Sequence, residues 1–208
     1  MNLYVLILLA AALFSACGGR PAQNDLPRSS GNSAEHSGTI DDRIQSSPDA
    51  TSAPYRVQLL DTLIADHNAV IDVAQMVRTR AEHEELKDFA RMLIAEQQEE
   101  IAQMQDLRQR SFPGAPAAIN AQLLGVEPGV SGLDPKKLDL LKARPFDLEF
   151  LKEMTLHYEG SIELCRDARE KLAASADGTD QSLSSFARTL EQGRRSELTQ
   201  MRKWQTAW

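Results

Sequence analysis

The chain has 208 residues, 42% of them hydrophobic and 25% charged, enough for one globular domain of about 150 residues with segments to spare. Its net charge is −7 and Lys and Arg form no cluster, which argues against a nucleic-acid role resting on phosphate contacts and leaves no basic face for anionic lipid. The two cysteines, Cys17 and Cys165, stand in a leader-like segment and in a helical pattern, so no disulfide framework is expected.

Residues 3–14 are almost wholly apolar, too short a run to span a bilayer and the right length for a signal-peptide core. The run ends in Leu13-Phe14-Ser15-Ala16-Cys17-Gly18, which resembles a bacterial lipobox. That resemblance implies removal of residues 1–16, lipidation of Cys17 as the new N-terminus, and attachment to a membrane that the chain does not span. Gly18 in place of Asp after the cysteine implies the outer membrane, with the domain facing the periplasm. Residues 18–53 are rich in Ser, Gly, Pro, Asn and Asp, cannot offset ordering by burial, and read with Cys17 as a disordered tether.

From Pro54 the pattern becomes helical. Val57, Leu60, Ile64, His67, Ile71 and Ala74 recur at three- and four-residue spacing, which predicts a first helix to about Arg80. A second is predicted from about Glu82 to Arg110, with Leu86, Phe89, Leu93, Gln97, Glu100, Met104 and Leu107 facing inward and Pro113 and Pro116 ending it. Residues 112–145 are a long connection rich in Gly and Pro, with a short helix expected at Asp134 to Ala143. Such a connection can travel the length of a bundle, so the third helix can start at the opposite end from where the second stops, the crossover of ferritin-like bundles. The third helix is predicted at about Pro145 to Ala174 and the fourth, after a turn at Ser175 to Asp180, at about Gln181 to Trp204. The expected fold is all-α: a ferritin-like four-helix bundle over 54–208, built from repeats at 54–111 and 146–208 joined by the crossover at 112–145.

The repeat is visible directly. Asp88-Phe89-Ala90-Arg91 and Gln97-x-x-Glu100-Ile101-x-x-Met104 return 97 positions later as Ser185-Phe186-Ala187-Arg188 and Arg194-x-x-Glu197-Leu198-x-x-Met201. Each inner stripe is interrupted near mid-helix by polar residues: Asp66 and His67, Gln97 and Glu100, His157 and Tyr158, Arg194 and Glu197. Counted from the two hairpin turns, these breaks fall at matching heights and predict one buried polar layer, whose groups must find partners there.

An aromatic, a Met, a histidine and an Ile at Phe150, Met154, His157 and Ile162, closed by Gln97, Glu100, Ile101 and Met104, resemble domain-of-unknown-function family 305. The resemblance spans about Tyr55 to Trp204 and implies a ferritin-like, duplicated, exported protein, with some members tied to copper or other metal handling. Where the family has a histidine pair, the first copy here has Asp66-His67 and the second His157-Tyr158, so each keeps one histidine.

Two readings of the layer are open. Asp66, His67, Glu100, His157 and Glu197 could ligate copper or another divalent metal, and Met104, Met154 and Met201 would favour soft Cu(I). Alternatively Arg194 supplies the positive charge itself and pairs Glu197 one turn on, making the layer structural. Cys165 and the methionines read as core filler, Trp204 as packed and Trp208 as an exposed contact point. No nucleophile with a base, phosphate loop or cofactor motif is present, so a non-catalytic binding or interaction module of the cell envelope is expected, with periplasmic metal buffering as the alternative.

Overall fold

The computed structural model describes residues 44–125, 135–175 and 177–208; the leader, Cys17 and the first part of the tether lie outside them. Four long helices carry the fold: α1 (Tyr55–Arg80), α2 (Glu84–Ser111), α3 (Ala143–Leu172) and α4 (Gly178–Ala207). Helices α1 and α2 pack as one hairpin and α3 and α4 as the other, with no strand among the described residues. Helix α1 is rich in β-branched residues of modest helix propensity, among them Val57, Val70, Val73 and Val77. All four are almost fully buried, so packing rather than propensity holds this helix. Among the described residues no helix is long and apolar enough to cross a membrane.

Helix ends differ from the sequence expectation where a side chain outside the local pattern intervenes. Helix α2 begins at Glu84 instead of Glu82 because Asp147, from α3, takes the donors of the preceding turn. Its carboxylate is fully buried and accepts from the Glu82 N–H (3.1 Å to each oxygen), the His83 N–H (3.0 Å) and His83 Nδ1 (2.6 Å). Helix α4 begins at Gly178, before the expected Gln181, because Asp177 accepts from the N–H groups of Thr179 (2.7 Å) and Asp180 (3.3 Å) as a local N-cap. The short helix expected to reach Ala143 stops at Asp139; Arg80 donates to the carbonyls of Asp139 (2.6 Å) and Leu141 (3.3 Å) and so draws them out of the helical ladder. Asp134, expected as its cap, lies outside the described residues.

The crossover is pinned along α1. At its start Arg108 donates to the carbonyls of Phe112 (2.8 Å), Ala115 (3.0 Å) and Pro116 (3.0 Å) while its Nε pairs with Asp61 (2.9 Å). Asp61 also accepts from the Ala118 N–H at 2.8 Å. Asn120 is held by Thr62 (2.8 Å to its N–H) and by Gln58 (2.8 Å to its side-chain amide). A single-turn 3-10 helix at Ala121–Leu124 then touches both α1 and α3. Pro135–Asp139 meets Arg80 at the far end of α1, so α3 does start at the opposite end from where α2 stops. The expected ferritin-like crossover is the one observed.

Two expectations are corrected. Residues 44–53, expected from composition to belong to the disordered tether, are part of the folded unit. Ser47 donates its N–H to the Ile119 carbonyl (2.8 Å), and the hydroxyls of Ser47 and Ser46 accept from the N–H groups of Ile119 and Ala121 (3.1 Å each). Polar composition misled here because those serines satisfy the crossover's backbone instead of water, while Ile44 and Ala50 are buried. Trp208, read as exposed, stacks on His83 at 3.8 Å with the planes 4° apart and on Trp204 at 5.3 Å, closing the end of the bundle that carries the α1–α2 turn.

Asp147 thus joins the two hairpins at that end. Asp147→Ala should lower stability by about 2 kcal/mol or more, since three donors lose their acceptor in a buried site, and urea unfolding will measure it.

Candidate functional site in the bundle core

Residues three apart on a helix share a face, so Gln97 with Glu100 and Arg194 with Glu197 point inward together from α2 and α4. Asp66-His67 on α1 and His157-Tyr158 on α3 meet them in one polar layer. Its centre is Arg194, 3% exposed. One terminal nitrogen, Nη1, donates to Glu197 at 3.1 Å, and the other, Nη2, donates to Glu100 at 3.1 Å. The Gln97 amide, oriented by its partners with the oxygen toward the guanidinium, accepts from Nη2 at 2.6 Å and Nη1 at 3.3 Å. Tyr158 lays its ring against the guanidinium carbon, 5.0 Å from the centroid. Burial alone would lower the pKa of this group, but Tyr158, Glu197 and Glu100 outweigh it and hold the guanidinium charged.

His67, 1% exposed, donates from Nε2 to Glu100 at 3.1 Å. The Arg194 nitrogen 3.3 Å away has its two protons directed to Gln97 and Glu100, so it is Nε2 that carries a proton toward Glu100. That Nδ1 stands 3.8 Å from Asp66, whose other oxygen is 3.6 Å from His157 Nε2. Neither distance is a hydrogen bond, and both His67 Nδ1 and Asp66 Oδ1 are buried without a partner. For Glu100, burial pushes the carboxyl up, but the His67 hydrogen bond and the Arg194 charge prevail and hold it below the ordinary range. Burial depresses the His157 imidazole, Asp66 pulling against it, and raises the Tyr158 phenol well above its ordinary value.

The repeat explains this layout. Aligning the two copies pairs Asp66 with His157, His67 with Tyr158, Gln97 with Arg194 and Glu100 with Glu197. The central contacts, Asp66 to His157 and Gln97 to Arg194, therefore each join a residue to its own counterpart, as on a two-fold axis. Divergence has made both meetings complementary, acid against imidazole and amide against guanidinium.

The remaining candidates sort out simply. Met104, Met154 and Met201 are fully buried in the apolar cluster, a turn away from the polar groups. Cys165 is a buried thiol, pushed up to about 12 by burial above all, and is inert filler. Glu96 is exposed but faces the layer's rim. Partial burial, then Glu197 and Glu100, raise its carboxyl pKa against the pull of Arg194. Its place one turn before Glu100 was the available signal. As a metal site the layer fits poorly, because the guanidinium stands 3.1–3.3 Å from Glu100, Glu197 and His67. Among the described residues no three His, Cys, Asp or Glu side chains gather at metal-holding spacing.

A raised acid pKa means that the folded state prefers the protonated group, so the stability it supports is present at low pH and lost as pH rises through the folded value. Glu96→Gln should therefore raise the melting temperature at neutral pH, with the gain vanishing below the ordinary glutamate pKa. Glu100 acts oppositely, its contribution fading in acid, and thermal unfolding of both proteins across pH separates the two effects.

The model of the family described as domain of unknown function (DUF305) matches residues 18–108 and 120–205. No curated protein sequence matches the chain. Among solved structures, CopM in its Cu(II)-bound form is 24% identical, covers 74% of this chain and 97% of its own, and superposes with a TM-score of 0.60. A DUF305 fragment from Deinococcus radiodurans is 20% identical over 75% of this chain and 98% of its own (TM-score 0.59), and a DUF305 protein from Streptomyces coelicolor is 17% identical over 78% and 88% (TM-score 0.56). These likenesses share the fold, and the match of the family model across both hairpins establishes that the chain belongs to the DUF305 family.

Proposed function

We propose that this chain is a non-catalytic binding or interaction module of the bacterial cell envelope, held at a membrane by lipid on Cys17, with its polar layer serving as an internal lock between the two hairpins. The observation that carries the reading of the layer is Arg194: a buried guanidinium with Glu100, Glu197 and Gln97 already satisfied around it has no capacity left for substrate or cargo. Recognition would then take place on the outer faces of the helices. Support for the anchor comes from the Ser15-Ala16-Cys17-Gly18 sequence.

Metal handling is the second reading. It is favoured by the likeness to CopM, whose structures include Cu(II)- and Cu(I)-bound forms, and by the unpartnered Asp66 Oδ1 and His67 Nδ1 beside His157. Asp66, Glu100 and Glu197 also set three acids against one guanidinium. In that reading Asp66, His67, Glu100, His157 and Glu197 would have to close up around an ion such as Cu(II), since no three of them stand at metal-holding spacing.

The lock reading expects Arg194→Met to cost about 3 to 5 kcal/mol, because the buried acids lose their partner, and expects chelator to leave the wild-type melting temperature unchanged. A wild type destabilised by chelator, with the response lost in His67→Ala/His157→Ala, would replace it with the metal reading. For the anchor, mass spectrometry of the protein from its native envelope should find a diacylated Cys17; an unmodified, soluble periplasmic chain would refute it.

A further inference from the structure

Between α1 and α2, near the turn that joins them, lies a cleft of about 600 Å³. Its floor is small and apolar, with Ala74 and Ala90 buried and Ile94 half-buried. Its rim carries Arg78 from α1 and Lys87 and Arg91 from α2, and none of the lining side chains is acidic. Lys87, Arg91, Ile94 and Gln98 follow one another at four- and three-residue spacing as one stripe of α2, and counted from the turn Arg78 stands at the height of Lys87. Scattered along the sequence, the three cations are gathered by the hairpin alone, in a chain whose net charge is −7.

Local partners leave these cations available. Arg78 is exposed and makes no ion pair among the described residues. Lys87 pairs with Glu84 at 2.7 Å and Arg91 with Asp88, each within α2, and the two acids are 75% and 64% exposed. Such surface pairs contribute little and exchange readily with an incoming carboxylate. Two antiparallel helices leave a groove that a third fills by packing ridges into it, and alanine in the floor lets the third backbone come close. We infer that this cleft receives an acidic amphipathic helix of a partner protein, whose carboxylates pair with Arg78, Lys87 and Arg91 while small apolar side chains rest on Ala74, Ala90 and Ile94. Charge decides the occupant: a basic or neutral segment would strip three cations of water and replace it with nothing, whereas carboxylates supply charge-assisted hydrogen bonds. A flat lipid surface would meet the rim but not the recessed floor. Nor does the cleft offer an aromatic side chain on which a nucleic-acid base could stack. Docking here presupposes the reading that places recognition on the outer faces of the helices, and specifies which face and what partner chemistry.

The test titrates the full chain into a labelled helical peptide that carries glutamates beside a stripe of alanine and leucine, read by fluorescence anisotropy. Its counterpart with lysine for glutamate and vesicles of phosphatidylglycerol are run in parallel, and amide shifts in the isotope-labelled chain locate the contact. The acidic peptide should bind, shift amides around Arg78, Lys87 and Arg91, and weaken as salt is added, while the lysine peptide does not bind. Arg78→Glu/Arg91→Glu should weaken the acidic peptide by about tenfold or more and gain affinity for the lysine peptide. Ala95→Trp, at an exposed position lining the cleft, should weaken the acidic peptide by bulk with every charge intact. Unchanged melting temperatures show that the variants fold; should the charge reversal lower that of the first, Arg78→Gln/Arg91→Gln takes its place, with a smaller loss of binding expected. No binding, binding that both variants leave unchanged, or capture of the vesicles in preference to the peptide overturns the proposal. Shifts confined to another helix face overturn it and spare the outer-face reading. Shifts centred on His67 and Arg194 overturn both.

Discussion

The structure depends on one buried guanidinium. Arg194 reaches Glu197 on its own helix, Glu100 and Gln97 on α2 and the Tyr158 ring on α3, and it lies beside His67 of α1, so a single side chain touches all four helices. Burying a charge is costly unless its partners are in place, and the reverse is equally true of the acids around it. A bundle with any helix displaced would leave several charges uncompensated at once. The layer therefore contributes to specificity of assembly as much as to stability, since apolar stripes alone tolerate sliding and rotation that this cluster does not.

Pseudo-symmetry gives that cluster its form. Two like hairpins packed about a two-fold bring corresponding residues face to face, and identical residues there would set acid against acid or guanidinium against guanidinium. The chain avoids both: Asp66 meets His157 and Gln97 meets Arg194. Pairing of a hairpin with another copy of itself would forfeit these complements, so divergence at the centre favours joining the two unlike halves.

Around the layer, the connections carry much of the architecture through side chains far apart in sequence. Asp147 terminates the first turn from within α3, and Arg108 with Asp61 holds the start of the crossover to α1 by its own carbonyls. These contacts fix which end of the bundle the crossover must reach. They also bring residues 44–53 into the fold, because Ser46 and Ser47 supply acceptors that the crossover's backbone lacks.

By itself the sequence determined the all-α class, the duplicated hairpin, the long crossover and the level at which the polar breaks meet. Each follows from spacing along the chain: apolar periodicity sets helix faces, and distance from a turn sets height in a hairpin. It also placed Arg194 among the acids, because a cation one turn before a glutamate on an inward face has few other partners. Tertiary structure alone decided how the layer is wired. Whether Glu100 serves His67, Arg194 or both, whether Asp66 finds a donor, and that Glu96 belongs to the rim are matters of ångströms between helices, which no spacing rule encodes. The same holds for the start of α2, set by Asp147 from across the bundle, and for Trp208, whose packing rests on His83 and on the turn that presents it. Local pattern governs which face a residue takes, whereas the partner it finds there depends on helices brought alongside by the rest of the chain.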